Sequence, residues 1–164
     1  MLSSTADNNP AQFSQFDIIH RIVVHPTTGD VYAAIQRRIV RSQDGGLTWS
    51  SVLEGTTPTT TDGGVGEIII NSAGTKLYAA ITGRNPDRSL VGIYTSSTGN
   101  LNAWTRIAGG TNGNVDSVAG WPAYDNSQTN TDGSFSSGWG RIVLSLAPSN
   151  QNLLYALIEN GNSA

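Results

Sequence analysis

Two arginines and a glutamate occupy corresponding places in a motif that the sequence repeats three times. Arg21 opens RIVVHPTTGDVYAAI, Glu67 opens EIIINSAGTKLYAAI, and Arg141 opens RIVLSLAPSNQNLLYALI. Two guanidinium groups can grip a carboxylate bidentately, whereas an arginine beside a glutamate forms an ordinary ion pair. The sequence favours the ion pair. The alternative is an anion-binding role for Arg21 and Arg141, which requires that their side chains be free of carboxylate partners.

A second set of candidate residues lies in the segment 109–140, between the second and third copies of the motif. This segment is rich in Gly, Asn, Ser and Thr, and it also contains Trp121, Tyr124, Phe135 and Trp139. Aromatic faces flanked by polar amides suit stacking on sugar rings, so Trp121, Tyr124 and Trp139 are candidate ligand contacts. The alternative, which we favour, is that these rings anchor a long loop to the rest of the protein.

Metal binding has little support in the sequence. Asp125 and Asp132 lie in YDNSQTNTDG, but no bidentate glutamate follows the glycine, as an EF-hand calcium loop requires. His20 and His25 have no third nitrogen or sulfur ligand nearby, and the chain contains no cysteine. We therefore predict no metal site and no cofactor, and the sequence assigns no catalytic residue.

The composition predicts an all-β protein in one domain. The 164 residues are 37% hydrophobic and only 13% charged, and Gly, Ser, Thr and Asn dominate the remainder. These residues favour turns and strands over helices. The net charge is −3 and the sequence contains no basic cluster, which argues against binding of nucleic acid. No apolar run approaches the roughly 20 residues that span a bilayer.

Each copy of the motif predicts two strands joined by a turn. In the first copy, residues 22–24 are apolar, residues 26–30 supply the turn, and residues 31–35 resume with β-branched and aromatic side chains. A strand that is apolar on both faces is covered on both faces. The spacing from Arg21 to Glu67, about 46 residues, is close to the roughly 40 to 50 residues of a four-stranded propeller blade.

The octapeptide SQDGGLTW is predicted to be the hairpin between the third and fourth strands of the first unit. Its two glycines can take positive φ without steric cost, and its aspartate can accept hydrogen bonds from N–H groups of its own turn. The hydroxyl groups can close the loop, and the tryptophan buries a large ring at the hairpin base. We predict a structural role for the residues that define it, which are Ser42, Asp44, Gly45, Gly46, Thr48 and Trp49.

The pattern Ser-x-Asp-x-Gly-x-Thr-Trp resembles the Asp-box, or BNR repeat, of the sialidase-like and sortilin-like β-propellers. A degraded copy is YTSSTGNLNAW, in which Ser96, Thr98 and Trp104 stand for the serine, aspartate and tryptophan. A weaker echo is LSSTADNNPAQF at residues 2–13. The resemblance implies a partial β-propeller of four-stranded antiparallel blades with Asp-box hairpins.

The resemblance divides the chain into five parts. Residues 1–20 end a preceding blade, 21–66 form a blade with an intact box, and 67–108 form a blade with a degenerate box. Residues 109–140 are a long insertion, and 141–164 are the first half of a further, truncated blade. Because propellers usually close with four to eight blades, we expect a segment of a longer propeller, with the remaining blades as partners.

The resemblance places the two arginines and the glutamate at one mouth of a central channel, where propellers commonly bind ligands. Sialidases hold a substrate carboxylate there with an arginine triad, but here the second position is a glutamate and no tyrosine nucleophile is identified. We expect a protein- or glycan-binding module of a secreted or cell-surface bacterial protein, without local catalytic residues. The alternatives are a sialidase-like or xyloglucanase-like glycoside hydrolase, with carboxylates partly outside this segment, and a structural spacer.

Overall fold

A computed structural model gives the architecture. It describes residues 18–36, 38–54, 64–83, 90–111, 114–116 and 139–160. Within these ranges the protein is all-β, with eleven strands in three antiparallel sheets and no α-helix. The predicted all-β class is therefore confirmed.

The first sheet contains four strands that are hydrogen-bonded in chain order. They are β1 (Ile19–Val24), β2 (Val31–Ile35), β3 (Arg38–Ser42) and β4 (Ser50–Leu53). Every neighbouring pair is antiparallel, with Tyr32 of β2 opposite Val23 on one side and Arg41 on the other. The turn and the two strands of the first motif copy lie where the sequence predicts them.

The second sheet repeats this arrangement and extends it by one strand. Its strands are β5 (Gly64–Ile70), β6 (Leu77–Gly83), β7 (Gly92–Ser96), β8 (Thr105–Thr111) and β9 (Asn114–Asp116). The end of β8 and the whole of β9 come from the segment 109–140, which the sequence predicts to be an insertion. The first residues of that segment therefore belong to the sheet, with Gly109 paired to Asp116.

The third sheet is a hairpin of two long strands. They are β10 (Trp139–Ala147) and β11 (Asn150–Asn160), which pair from Trp139 opposite Asn160 to Ala147 opposite Asn150. Two register shifts interrupt the pairing. The hairpin corresponds to the two strands that the third motif copy predicts.

The three sheets pack face to face through their first strands. Strand β5 lies against β1 and β2, and β10 lies against β5 and β6. Strand β5 approaches the first sheet closely because residue 66 is a glycine: a Cβ there would lie 3.1 Å from the Cβ of Ala34. The first interface buries Tyr32, Ala34, Ile39, Ile68, Leu77 and Ala79, and the second buries Tyr78, Ala80, Ile93, Ile142 and Leu144.

The inner hairpin turns of the three sheets lie side by side. The His25 ring packs against Gly74, where a Cβ would come within 3.1 Å of the ring Nδ1. The backbone N–H of Ser72 donates a hydrogen bond of 2.6 Å to the side-chain oxygen of Gln151. The sheets are therefore aligned at one end as well as stacked.

The two interfaces use equivalent residues of the repeat. Ile68 and Ile142 follow the charged residue of their motif copies, and each is buried against the preceding sheet. Tyr32 and Tyr78 are also equivalent, and each is buried against the following sheet. Each sheet thus turns the same face towards the sheet that follows it in the chain. The packing of the first sheet on the second is therefore repeated between the second and the third.

Candidate functional site

The three charged residues at the head of the motif copies lie on three adjacent strands. Arg21 is on β1, Glu67 on β5 and Arg141 on β10. Each lies inside its strand rather than at its start, because the strands begin two or three residues before the repeated motif. The stacking of β1, β5 and β10 gathers these positions at the junction of the three sheets.

Arg21 and Glu67 form the ion pair that the sequence favours. The Arg21 Nε lies 3.5 Å from Oε1 of Glu67. The arginine side chain is 53% exposed, whereas the glutamate side chain is only 3% exposed. Glu67 Oε1 is buried and accepts no hydrogen bond, so the contact with Arg21 is one of charge alone.

Burial raises the pKa of the Glu67 carboxyl because the charged form has lost its contact with water. Arg21 opposes this shift most strongly among the neighbouring groups, followed by a hydrogen bond from the backbone of Ile68 and by the charges of Arg141 and His20. Desolvation is the largest effect, so the cluster holds a carboxyl group whose neutral form is favoured more than in water.

Arg21 does not meet the condition for a free anion-binding arginine, because Glu67 is its carboxylate partner. Arg141 is exposed, and its backbone N–H donates a 3.0 Å hydrogen bond to Oε2 of Glu159. The exposed portions of both arginine side chains remain accessible to a ligand at the sheet junction.

The aromatic candidates fall largely outside the described residues. Trp121 and Tyr124 lie outside them, as do Asp125 and Asp132. Trp139 is the first residue of β10, and its backbone alone is described. The roles assigned to these aromatic residues therefore stay predictions.

The loop from Ser42 to Trp49 is closed by the hydrogen bonds that its sequence predicts. The Ser42 hydroxyl donates to Oδ1 of Asp44 at 2.8 Å and accepts the N–H of Gly46 at 2.8 Å. Thr48 donates twice to the same aspartate, from its N–H to Oδ1 at 2.8 Å and from its hydroxyl to Oδ2 at 2.6 Å. The carboxylate thus organises the turn from within it.

Asp44 is exposed to solvent even though its carboxylate accepts hydrogen bonds from within the turn. Hydrogen bonds from the side chain and backbone of Thr48 and from Ser42 lower its pKa to about 2. The two glycines adopt the predicted positive φ, 73° at Gly45 and 96° at Gly46. This geometry keeps Asp44 ionised as a hydrogen-bond acceptor, which fits a structural role.

Trp49 is half-buried and packs against Ala33, Ile35 and Val40 on the first sheet. Its Nε1 donates a 3.2 Å hydrogen bond to the carbonyl oxygen of Gly46. The ring therefore joins the loop to the sheet, as the sequence predicts.

The second hairpin loop retains only part of this arrangement. Ser96 Oγ accepts the N–H of Gly99 at 2.9 Å, as Ser42 accepts the N–H of Gly46. The Thr98 hydroxyl, which stands in the place of the Asp44 carboxylate, accepts the N–H of Asn100 at 3.3 Å. Trp104 packs against the core between the first two sheets, and its buried Nε1 has no hydrogen-bond partner. The copy is degraded in its hydrogen bonding, as its sequence indicates.

A polar connection between the first two sheets was not expected from the sequence. Arg41 on β3 pairs with the buried Asp30, donating from Nε to Oδ2 at 2.9 Å, and its Cζ lies 5.4 Å from the centroid of the Tyr32 ring. It also donates from Nη1 to Oδ1 of Asn100 in the second hairpin loop, at 2.5 Å. The Tyr32 hydroxyl donates to the carbonyl of Thr98 at 3.4 Å. These contacts fix the loop of the second sheet against the first.

Comparisons of the chain with protein-family models, with curated proteins and with solved structures each gave no match. In the part of the chain that the structure describes, no helix is long and apolar enough to cross a membrane. The same part contains no group of three or more His, Cys, Asp or Glu residues that could hold a metal ion. A functional assignment therefore depends on the geometry of the stacked sheets and of the charged cluster between them.

Proposed function

We propose that the chain forms consecutive blades of an Asp-box β-propeller that serves as a binding module of a secreted or cell-surface protein. Three antiparallel sheets stacked in chain order through β1, β5 and β10 support the propeller. The repeated use of the same faces at both interfaces supports it further, because a propeller is built by radial repetition of one sheet. The hydrogen-bonded loop from Ser42 to Trp49 supports the Asp-box assignment.

The proposed ligand is a glycan that carries a carboxylate, bound where the three inner strands meet. One observation carries this proposal: the exposed arginines of β1 and β10 lie near the buried Glu67, and the charges of both partly oppose the rise in its pKa that burial causes. Guanidinium groups bind carboxylates through paired, charge-assisted hydrogen bonds. Glu67 is already paired with Arg21, but burial favours the neutral form of Glu67, so it balances the charge of that half-exposed arginine only in part. A ligand carboxylate can therefore compete for the exposed part of Arg21 beside Arg141.

The test is a glycan-binding screen that includes sialylated, uronate-containing and neutral glycans. We expect the Arg21→Ala, Arg141→Ala double variant to lose binding of acidic glycans by at least tenfold. Arg38→Ala is the matched control, because Arg38 is a surface arginine of the first sheet that pairs with Glu54 rather than with Glu67. Binding to neutral glycans alone, or equal binding by both variants, would contradict the arginine site.

The two candidate aromatic platforms need a separate variant. Trp121→Ala, Trp139→Ala should weaken binding of acidic and neutral glycans alike if these rings stack on sugars. A binding protein without chemistry loses binding in this variant and hydrolyses none of the glycans. Unchanged binding would leave the arginines as the recognition site and assign the aromatic residues to anchoring of the loop.

A glycoside hydrolase is the second candidate, and the raised pKa of Glu67 favours it, since a general acid must retain its proton near working pH. Such an enzyme needs a second carboxylate at about 5 to 9.5 Å from the first. Hydrolysis by the wild type that disappears in Glu67→Gln would establish the enzyme. Binding without hydrolysis would support the binding module.

A further inference from the structure

The outer side of the β10–β11 hairpin is an apolar face that no other described strand covers. Val143 lies opposite Leu157 across the hairpin, and Tyr155 follows on the same side opposite Ser145. Leu157 is 76% exposed, and Val143 and Tyr155 are also exposed. We call Val143, Tyr155 and Leu157 the trailing face.

The equivalents of these residues are buried in the other two sheets. Tyr155 corresponds to Tyr32 and Tyr78, each of which is buried against the sheet that follows it. Leu157 corresponds in the same way to Ala34 and Ala80, which are fully buried. The repeat therefore identifies the trailing face as a surface on which a further sheet packs.

The complementary surface lies at the other end of the stack, on β1. Ile22 and Val24 are exposed on the side of the first sheet that faces away from the second. We call these two residues the leading face. The equivalent residues of the second and third sheets are packed against the preceding sheet. They are Ile68 and Ile70 on β5 and Ile142 and Leu144 on β10. Other residues on that side of the first sheet, Ala33 and Ile35, are already buried, so the exposed strip is the β1 strand itself.

We propose that the trailing face of one copy docks on the leading face of a second copy, head to tail. Both halves of the contact are present on this chain, and its two internal interfaces show that such halves fit each other. Within the chain β5 lies against β1 and β2, so the equivalent contact places β1 of the second copy against β10 and β11. The contact is heterologous, meaning that two different surfaces meet. It does not depend on the binding of a glycan.

The charges at the junction predict how this association responds to salt. The repeat places Arg141 of one copy beside Arg21 of the second copy, where the internal interface has Arg21 beside Glu67. Two exposed like charges repel each other, and salt screens that repulsion. The association should therefore strengthen as ionic strength increases, in contrast to an interface held by ion pairs.

The test uses two variants of exposed residues, Ile22→Asp and Leu157→Asp, with Leu101→Asp as the control. Leu101 is comparably exposed, but it lies in the second hairpin loop and belongs to neither face. Sedimentation velocity should show that the wild type and the control associate at micromolar concentration. Each face variant alone should be monomeric, with a circular dichroism spectrum like that of the wild type.

The equimolar mixture of the two face variants distinguishes a head-to-tail contact from a symmetric one. Ile22→Asp retains an intact trailing face and Leu157→Asp an intact leading face, so the mixture should form a one-to-one heterodimer. Association of one face variant on its own would overturn the head-to-tail contact in favour of like faces meeting, and a mixture that stays monomeric while the wild type associates would also contradict it. A wild type that is monomeric at every concentration and ionic strength, or association that survives both substitutions, would overturn the proposal itself.

Discussion

Nε of Arg21 and Oε1 of Glu67 lie 3.5 Å apart across the junction of the first two sheets, with the arginine half exposed and the glutamate buried. This asymmetry determines the energetics of the pair. Water screens the arginine, so its attraction compensates only part of the cost of burying the carboxylate. The raised pKa of Glu67 expresses that remaining cost.

Glu67→Gln should therefore remove a pH dependence of stability. The pKa of Glu67 is raised in the folded protein, so the folded state holds its proton more tightly than the unfolded state. Stability contributed by the neutral carboxyl is fully present below the ordinary glutamate pKa, about 4.3, and is lost as pH rises through the folded pKa. The melting temperature of Glu67→Gln minus that of the wild type should increase between pH 4 and 7.

The control for this substitution is Glu54→Gln, which changes an exposed glutamate paired with Arg38. The melting temperature of Glu54→Gln minus that of the wild type should vary much less over the same pH range. A difference for Glu67→Gln that is constant with pH, or that decreases as pH rises, would show that desolvation does not dominate the site.

Asp44→Asn should show the opposite pH dependence. Because hydrogen bonds lower the pKa of Asp44 to about 2, its contribution is present above the ordinary aspartate pKa and is lost as pH falls through about 2. The variant should melt at a lower temperature than the wild type at pH 7, and the two should converge between pH 4 and 2. Trp49→Phe is the control: it removes the hydrogen bond from Nε1 to the carbonyl oxygen of Gly46, which does not involve the carboxylate, so its deficit should persist over this pH range.

The loop from Ser42 to Trp49 could be predicted from the sequence because its hydrogen bonds join residues at most four positions apart. The strands of the three motif copies were predictable for a similar reason, since turn residues and apolar runs alternate locally. Their apolar character on both sides also predicted that each strand is covered on both faces, which holds for β5 but not for β1, whose Ile22 and Val24 are exposed. Local pattern thus determines the elements and their order.

The connection through Arg41 could not be predicted in this way. Its partners Asp30 and Asn100 are 11 and 59 positions distant in the chain. Finding them requires the register of β2 with β3 and the position of the second hairpin loop against the first sheet. The extra strand β9 also escaped prediction, because Asn114–Asp116 is a short polar segment without the apolar run that marked the other strands.

Arg41→Met should destabilise the protein by about 3 to 5 kcal/mol, because it leaves the buried carboxylate of Asp30 without its partner. Arg38→Met is the matched control on the same strand. Arg38 pairs with the more exposed Glu54, so its loss should cost about 0 to 1 kcal/mol. Urea unfolding measures both values, and equal costs would show that the Asp30 pair does not act as a buried one.

Gly99→Ala should destabilise the protein more than Gly29→Ala, although both glycines have positive φ, 65° and 77°. At either site alanine must adopt the left-handed backbone conformation, which costs about 1 to 2 kcal/mol. At Gly99 the new Cβ would also lie 2.8 Å from Cε1 and Cζ of the buried Tyr32 ring, whereas nothing lies within 4 Å at Gly29. Urea unfolding of the two variants therefore isolates the contact between the second hairpin loop and the first sheet. Equal losses of stability would mean that the loop moves away from Tyr32 without cost.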